Sequence, residues 1–167
     1  MKWINILVAG CCLFGTMGSQ AQAMGYLGFN QNSMVGKHAK DFTLMSAQNQ
    51  KVNLVQVSKG RKTMIVFWAT WCPYCREALK EISLMRQEIQ DKGIVLILVS
   101  VGESKAAVVN YLNVHQYEFD VVLDENSSVS KDYGIAGVPT IFYLDQEGII
   151  KSVENEFNGN FEKNFRE

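Results

Sequence analysis

The sequence predicts one α/β domain, a central mixed β-sheet flanked by helices, with an N-terminal β-hairpin extension. Three observations lead there. Residues 63–69 (TMIVFWA) and 94–101 (IVLILVSV) are apolar at nearly every position, as strands covered on both faces must be. Between them lies a segment of helical period, and strand–helix–strand units wind with helices on both faces of a sheet. A short hairpin pattern precedes this unit and another follows it. The 167 residues suit one domain, and 47% hydrophobic with 20% charged residues suits a packed core rather than a disordered chain. Net charge is −1 and no basic run exceeds Arg61-Lys62, which argues against a nucleic-acid partner.

The first element is a targeting segment, residues 1–23. Lys2 is followed by apolar or small residues to Gly18 and then by Ala21-Gln22-Ala23, the pattern of a secretory signal peptide. Val8-Ala9-Gly10-Cys11 offers a second reading, a lipidated cysteine, and retention as a membrane tether is a third. Each reading puts the domain outside the cytoplasm, in the periplasm or on the outer face of the membrane. Residues 24–40, rich in Gly, Asn and Gln, read as a linker, and residues 41–167 as the domain.

The domain opens with two short apolar stretches, residues 42–44 and 52–54, flanking a polar turn. A turn at residues 59–62 leads into the first buried strand, in which Trp68 is assigned to the core. Residues 76–91 read as a helix, because Leu79, Ile82, Met85 and Ile89 form one stripe and Gly93 is placed to end it. After the second buried strand, residues 104–116 carry a weaker helical pattern through Ala107, Tyr111 and Leu112. Residues 121–123 read as a strand and 127–133 as a short helix or turn. Residues 140–144 and 149–153 form a hairpin about Asp145-Gln146-Glu147-Gly148. The polar tail from residue 155, with its three spaced phenylalanines, reads as a loosely packed final helix.

Cys11 and Cys12 belong to the targeting segment, so the domain owns only Cys72 and Cys75, at the C-terminal edge of the first buried strand. That edge is where ligands meet such sheets. A zinc site needs about four ligands, and His38 and His115 stand at no ligand spacing. A structural disulfide closing so small a loop would constrain the unfolded chain very little. A redox pair fits better. Pro73 suits the first helical position, which places Cys72 at a helix N-terminus, where a thiolate is stabilised. Cys75 lies one turn inside, so Cys72 is expected as the exposed nucleophile and Cys75 as the shielded resolving thiol.

Residues 67–76 (FWATWCPYCR) resemble the active-site stretch of thioredoxin-like proteins, and the Phe-Trp-Ala-Thr-Trp approach is similar to that of exported TlpA/ResA-type thiol–disulfide oxidoreductases. Gly137-Val138-Pro139-Thr140 resembles the family's cis-proline loop, and the likeness runs from residue 35 to residue 153. The resemblance implies a thioredoxin-like fold and a Cys72/Cys75 dithiol–disulfide cycle. It also implies reduction of disulfides in exported proteins (those of apocytochrome c among them), with a membrane or periplasmic thiol as electron donor. No metal or other cofactor is expected, and the chain is expected to be a monomer. Val138 would pair with a substrate strand beside Pro139, while Trp71, Pro73 and Tyr74 would support the site, Trp71 as an apolar docking rim. One departure stands out: where relatives carry a glutamate three residues after the second cysteine, this chain has Ala78, and Lys80 replaces a proline. Glu77 and Glu81 read as solvated, which leaves a proton-shuttling acid for Cys75 unassigned. Two rivals are a thiol peroxidase of the same fold and a noncatalytic thioredoxin-like binding module.

Overall fold

The computed structural model describes residues 31–166. The targeting segment, with Cys11 and its alternative fates, and the first residues of the expected linker lie outside the described residues.

Seven strands form one sheet in the order β2-β1-β5-β4-β3-β6-β7. These are β1 (Thr43–Ser46), β2 (Lys51–Asn53), β3 (Thr63–Trp68), β4 (Val95–Val101), β5 (Val121–Asp124), β6 (Thr140–Leu144) and β7 (Ile150–Glu154). β4 runs parallel to β3 and β5; every other pairing is antiparallel, so the sheet is mixed. The chain between strands forms α1 (Leu54–Ser58), α2 (Pro73–Leu84), α3 (Arg86–Asp91), α4 (Lys105–His115) and α5 (Ser128–Asp132).

The apolar runs are explained by two cores. Met64, Val66 and Trp68 of β3 face Leu79, Ile82, Val108 and Tyr111 on one side of the sheet. Ile65 and Phe67 face Phe42, Leu54, Val129 and Tyr133 on the other. Strand side chains alternate between faces, so burial on both leaves little room for polar residues, Thr63 of β3 and Ser100 of β4 being the buried exceptions. Every residue of β3 is buried, and each large apolar side chain so placed is worth about 1.5–3 kcal/mol. β3 is therefore a rigid mount for whatever follows it.

The expected helix over residues 76–91 begins earlier, at Pro73, and is interrupted at Met85. Leu79, Ile82 and Ile89 keep their common buried face, while Leu84 turns out to solvent. In α4 the buried stripe is Val108, Tyr111 and Leu112, with Ala107 outside it. Ser104 caps this helix by accepting the Ala107 N–H, and Gln116 ends it in the left-handed conformation.

Three stretches are more structured than expected. Gly36 N–H donates to the Ile150 carbonyl and Ile150 N–H to the Lys37 carbonyl, each within 2.9 Å, so the later part of the expected linker is pinned to β7. Residues 54–58, read as the end of a strand and the chain after it, form α1, because the Asn53 side chain accepts the Gln56 N–H and caps it. The tail is a 3₁₀ turn, Phe161–Phe165, rather than a loose helix. Its Phe161 and Phe165, with Phe157 ahead of them, are buried, and Phe165 meets Tyr143 edge-on at 5.1 Å.

Candidate active site

The chain leaves β3 at Trp68, bends through residues 69–72, and enters α2 at Pro73. Cys72 is the N-cap. Its backbone is extended, its N–H donates to the Ala69 carbonyl at 3.2 Å, and its Sγ accepts the Cys75 N–H at 3.2 Å. A cap acceptor satisfies one of the unpaired N–H groups at a helix start, and here that acceptor is sulfur. Pro73 at the first helical position has no N–H to satisfy. The bond between the two cysteines is thus produced by the helix geometry itself.

Cys72 is not the exposed thiol that its position suggested. It is 3% exposed and Cys75 is fully buried. The cover on Cys72 comes from the β6 side, where its thiol donates to the Val138 carbonyl at 3.2 Å. The Val138–Pro139 peptide is cis, Pro139 is buried, and Thr140 braces the loop by donating its hydroxyl to the Gly137 carbonyl at 2.7 Å. The Gly-Val-Pro-Thr stretch and the cysteine pair, 66 residues apart at the Cys72–Val138 contact, therefore form one site.

Burial pushes the Cys75 thiol well above the usual thiol range, and its contact with Cys72 adds to the rise. The Ala69 backbone hydrogen-bonds the Cys75 sulfur and opposes the shift, but burial outweighs it. Trp71 is 69% exposed and Tyr74 77%, forming an aromatic rim, while Trp68 is entirely buried. Glu77 and Glu81 are exposed, as expected for a solvated helix face, and Ala78 is buried.

Sequence reasoning missed Glu103. This half-buried residue follows β4, and its carboxylate accepts the Thr70 N–H at 2.9 Å, the Thr70 hydroxyl, and the Ser100 hydroxyl at 3.1 Å. One signal could have found it: an acid just after a buried parallel strand, and just before a capping serine, sits at the same sheet edge as the cysteines. A peroxide-attacking Thr-x-x-Cys pocket needs a threonine three residues before the cysteine, where this chain has Ala69; Thr70 stands one residue nearer and gives its hydroxyl to Glu103. Of the two histidines, His38 bridges to Ile149, and His115 stacks on Tyr111 at 4.1 Å.

A mixed sheet with a buried central strand, a dithiol at the next helix N-terminus and a cis-proline loop across it define a thioredoxin-fold dithiol protein. Residues 35–153 match the profile of the AhpC/TSA family, and the chain belongs to that family. Within it, the chain is a thiol–disulfide oxidoreductase of the TlpA/ResA type. It is 29% identical over 137 residues to the thiol-disulfide oxidoreductase ResA of Bacillus subtilis, covering 78% of this chain and 76% of that one. It is 30% identical over 120 residues to the thioredoxin-like protein YneN of the same organism, covering 71% and 69%. Among solved structures, the exposed lipoprotein thioredoxin Etrx1 of Streptococcus pneumoniae superposes with a TM-score of 0.62 at 26% identity, covering 71% of this chain and 91% of that one.

Proposed function

We propose that the protein works outside the cytoplasmic membrane as a reductant of disulfides in exported proteins, with Cys72 attacking and Cys75 resolving. The observation that carries this reading is the α2 N-terminus, where Cys72 Sγ already receives the Cys75 N–H at 3.2 Å. The Cys72 sulfur, deprotonated, attacks one sulfur of a substrate disulfide. That S–S bond breaks, a Cys72–substrate disulfide forms, and the departing substrate thiolate takes up a proton. Cys75, losing its proton, then attacks the Cys72 sulfur. A Cys72–Cys75 disulfide forms and the second substrate thiol leaves, so two electrons have passed to the substrate. A thiol donor at the membrane or in the periplasm returns the pair to the dithiol.

The direction rests on the likeness to TlpA/ResA-type thiol–disulfide oxidoreductases, and the potential of the Cys72/Cys75 pair is what tests it. The Trp71 and Tyr74 rim offers apolar surface to a partner protein, and the Val138 backbone, beside the Cys72 sulfur, would pair with its cysteine-bearing segment. The N-terminal signal pattern supports export, and Etrx1 is itself described as an exposed lipoprotein.

Trapping tests the reading. Cys75→Ser should accumulate exported partners as mixed disulfides through Cys72, and Cys72→Ser should abolish the capture. Capture unchanged in Cys72→Ser would make the protein a binding module. Equilibration of the wild-type pair against glutathione should place its potential toward the thioredoxin end, near about −270 mV, and a value near about −120 mV would reverse the direction.

A further inference from the structure

The peptide unit joining Ala69 to Thr70 is held at both ends. Its N–H, on Thr70, donates to Glu103 Oε2 at 2.9 Å, and its carbonyl, on Ala69, accepts the Cys72 N–H at 3.2 Å. A peptide is planar, so fixing the direction of one of these groups fixes the other. The Thr70 hydroxyl donates to the second oxygen of the same carboxylate, giving a two-point grip on one residue. Ser100, buried in β4, donates to Oε2 at 3.1 Å and ties the carboxylate to the rigid centre of the sheet. Two donors of Thr70 and one of Ser100 thus converge on one side chain, which ties the bend between Trp68 and Cys72 to β4.

We infer that Glu103 is a positioning residue of the redox site: by gripping Thr70 it aims the Ala69 carbonyl that receives the Cys72 N–H, and so keeps the Cys72 sulfur within reach of Cys75 in the resolving step. Glu103 touches neither sulfur. Its carboxylate enters from the loop after β4, whereas the corresponding face of α2 carries Ala78. The inference rests on thiol–disulfide exchange at this pair and is independent of the direction in which electrons flow.

A two-phase exchange tests it. Reduced protein is mixed with the aromatic disulfide dithiobis(nitrobenzoate). Attack by Cys72 releases one nitrothiophenolate and leaves the other bound to Cys72. Attack by Cys75 on the Cys72 sulfur then closes the protein disulfide and releases the second. Glu103→Ala should slow the second phase roughly tenfold while the first stays within about twofold, since small misplacements act most on the step needing alignment. Glu103→Gln should restore the second phase to within about threefold, because its amide accepts the Thr70 N–H and can donate to the Thr70 oxygen. If Glu103→Ala does not fold, Thr70→Val keeps the backbone bond, loses the hydroxyl bond, and should slow the second phase about threefold. A second phase at the wild-type rate in Glu103→Ala, or in Thr70→Val where the former does not fold, overturns the inference. So does equal slowing of both phases. Failure of the wild-type protein to exchange at all would instead strike at the role of the cysteine pair itself.

Discussion

Two bends at the same edge of the sheet are built on one plan and put to different use. After β3, the chain turns into α2 around Thr70, held by the carboxylate of Glu103. After β5, it turns into α5 around Asp124, whose carboxylate accepts the Val129 N–H at 3.2 Å, the Ser130 N–H at 2.7 Å and the Ser130 hydroxyl. Asp124 is fully buried and grips a helix from its own strand, while half-buried Glu103 grips a neighbouring strand's bend. The first bend carries two cysteines and an aromatic rim; the second presents the exposed, polar Glu125 and Asn126. A carboxylate that satisfies backbone donors can therefore serve stability in one place and reactivity in another. The buried one should cost more stability when lost.

Asp124→Ala separates the two uses and should have the largest effect. It strips three donors of their acceptor in a buried setting, where each unsatisfied group costs about 1–3 kcal/mol. Water reaching the α5 N-terminus will recover part of this, so we expect a loss of about 3 kcal/mol, roughly 10 °C in thermal midpoint for a domain of this size. The Cys72–Cys75 potential should not move. Calorimetry and a glutathione titration on the same preparation check both halves, and a shifted potential would show that the bends are coupled.

The bends do share a part. Gly102, which precedes Glu103, has φ of +70° and donates its N–H to the Asp124 carbonyl at 2.9 Å. A Cβ there would stand 3.0 Å from the Ser127 hydroxyl oxygen. Gly102→Ala therefore incurs the left-handed penalty of about 1–2 kcal/mol, with a close contact in addition. We expect chemical denaturation to show a loss of that size, smaller than for Asp124→Ala. The mixed-disulfide resolution rate should also fall, because the displaced loop carries Glu103. Lost stability with an unaltered resolution rate would leave Gly102 to the structural bend alone.

This division explains how much was legible in the sequence. Both buried strands were readable because burial on two faces makes nearly every position apolar, a strictly local signature. The cysteine pair was readable because two cysteines three apart, with Pro73 suited to the first helical position after a buried strand, again lie within a few residues. The cover on Cys72 was not, since it depends on the Val138 carbonyl across the sheet. Glu103 was not, since a lone loop acid has no period and gains meaning only when β4 is laid beside β3. α1 was hidden for a third reason: five residues are too few to show a helical stripe, and only the Asn53 cap betrays it. What the sequence kept back were contacts between segments, and the active-site geometry consists largely of those.

Trp71 offers the smallest stability change and the sharpest remaining contrast between the bends. It is 69% exposed, so its ring contributes little to the core, and Trp71→Ala should alter stability by no more than about 0.5 kcal/mol. The structural bend has no exposed aromatic residue, whereas the reactive bend carries both Trp71 and Tyr74. Large exposed rings are retained at interfaces because they bury much area for few rotatable bonds, and truncating one that anchors a partner costs about 1–3 kcal/mol, or roughly five- to 150-fold in binding. In the Cys75→Ser background, Trp71→Ala should therefore lower the yield of protein mixed disulfides severalfold. Its reaction with a small aromatic disulfide, which has no need of a docking rim, should proceed at an unchanged rate. Equal losses with both substrates would mean that Trp71 shapes the thiol rather than receiving the partner.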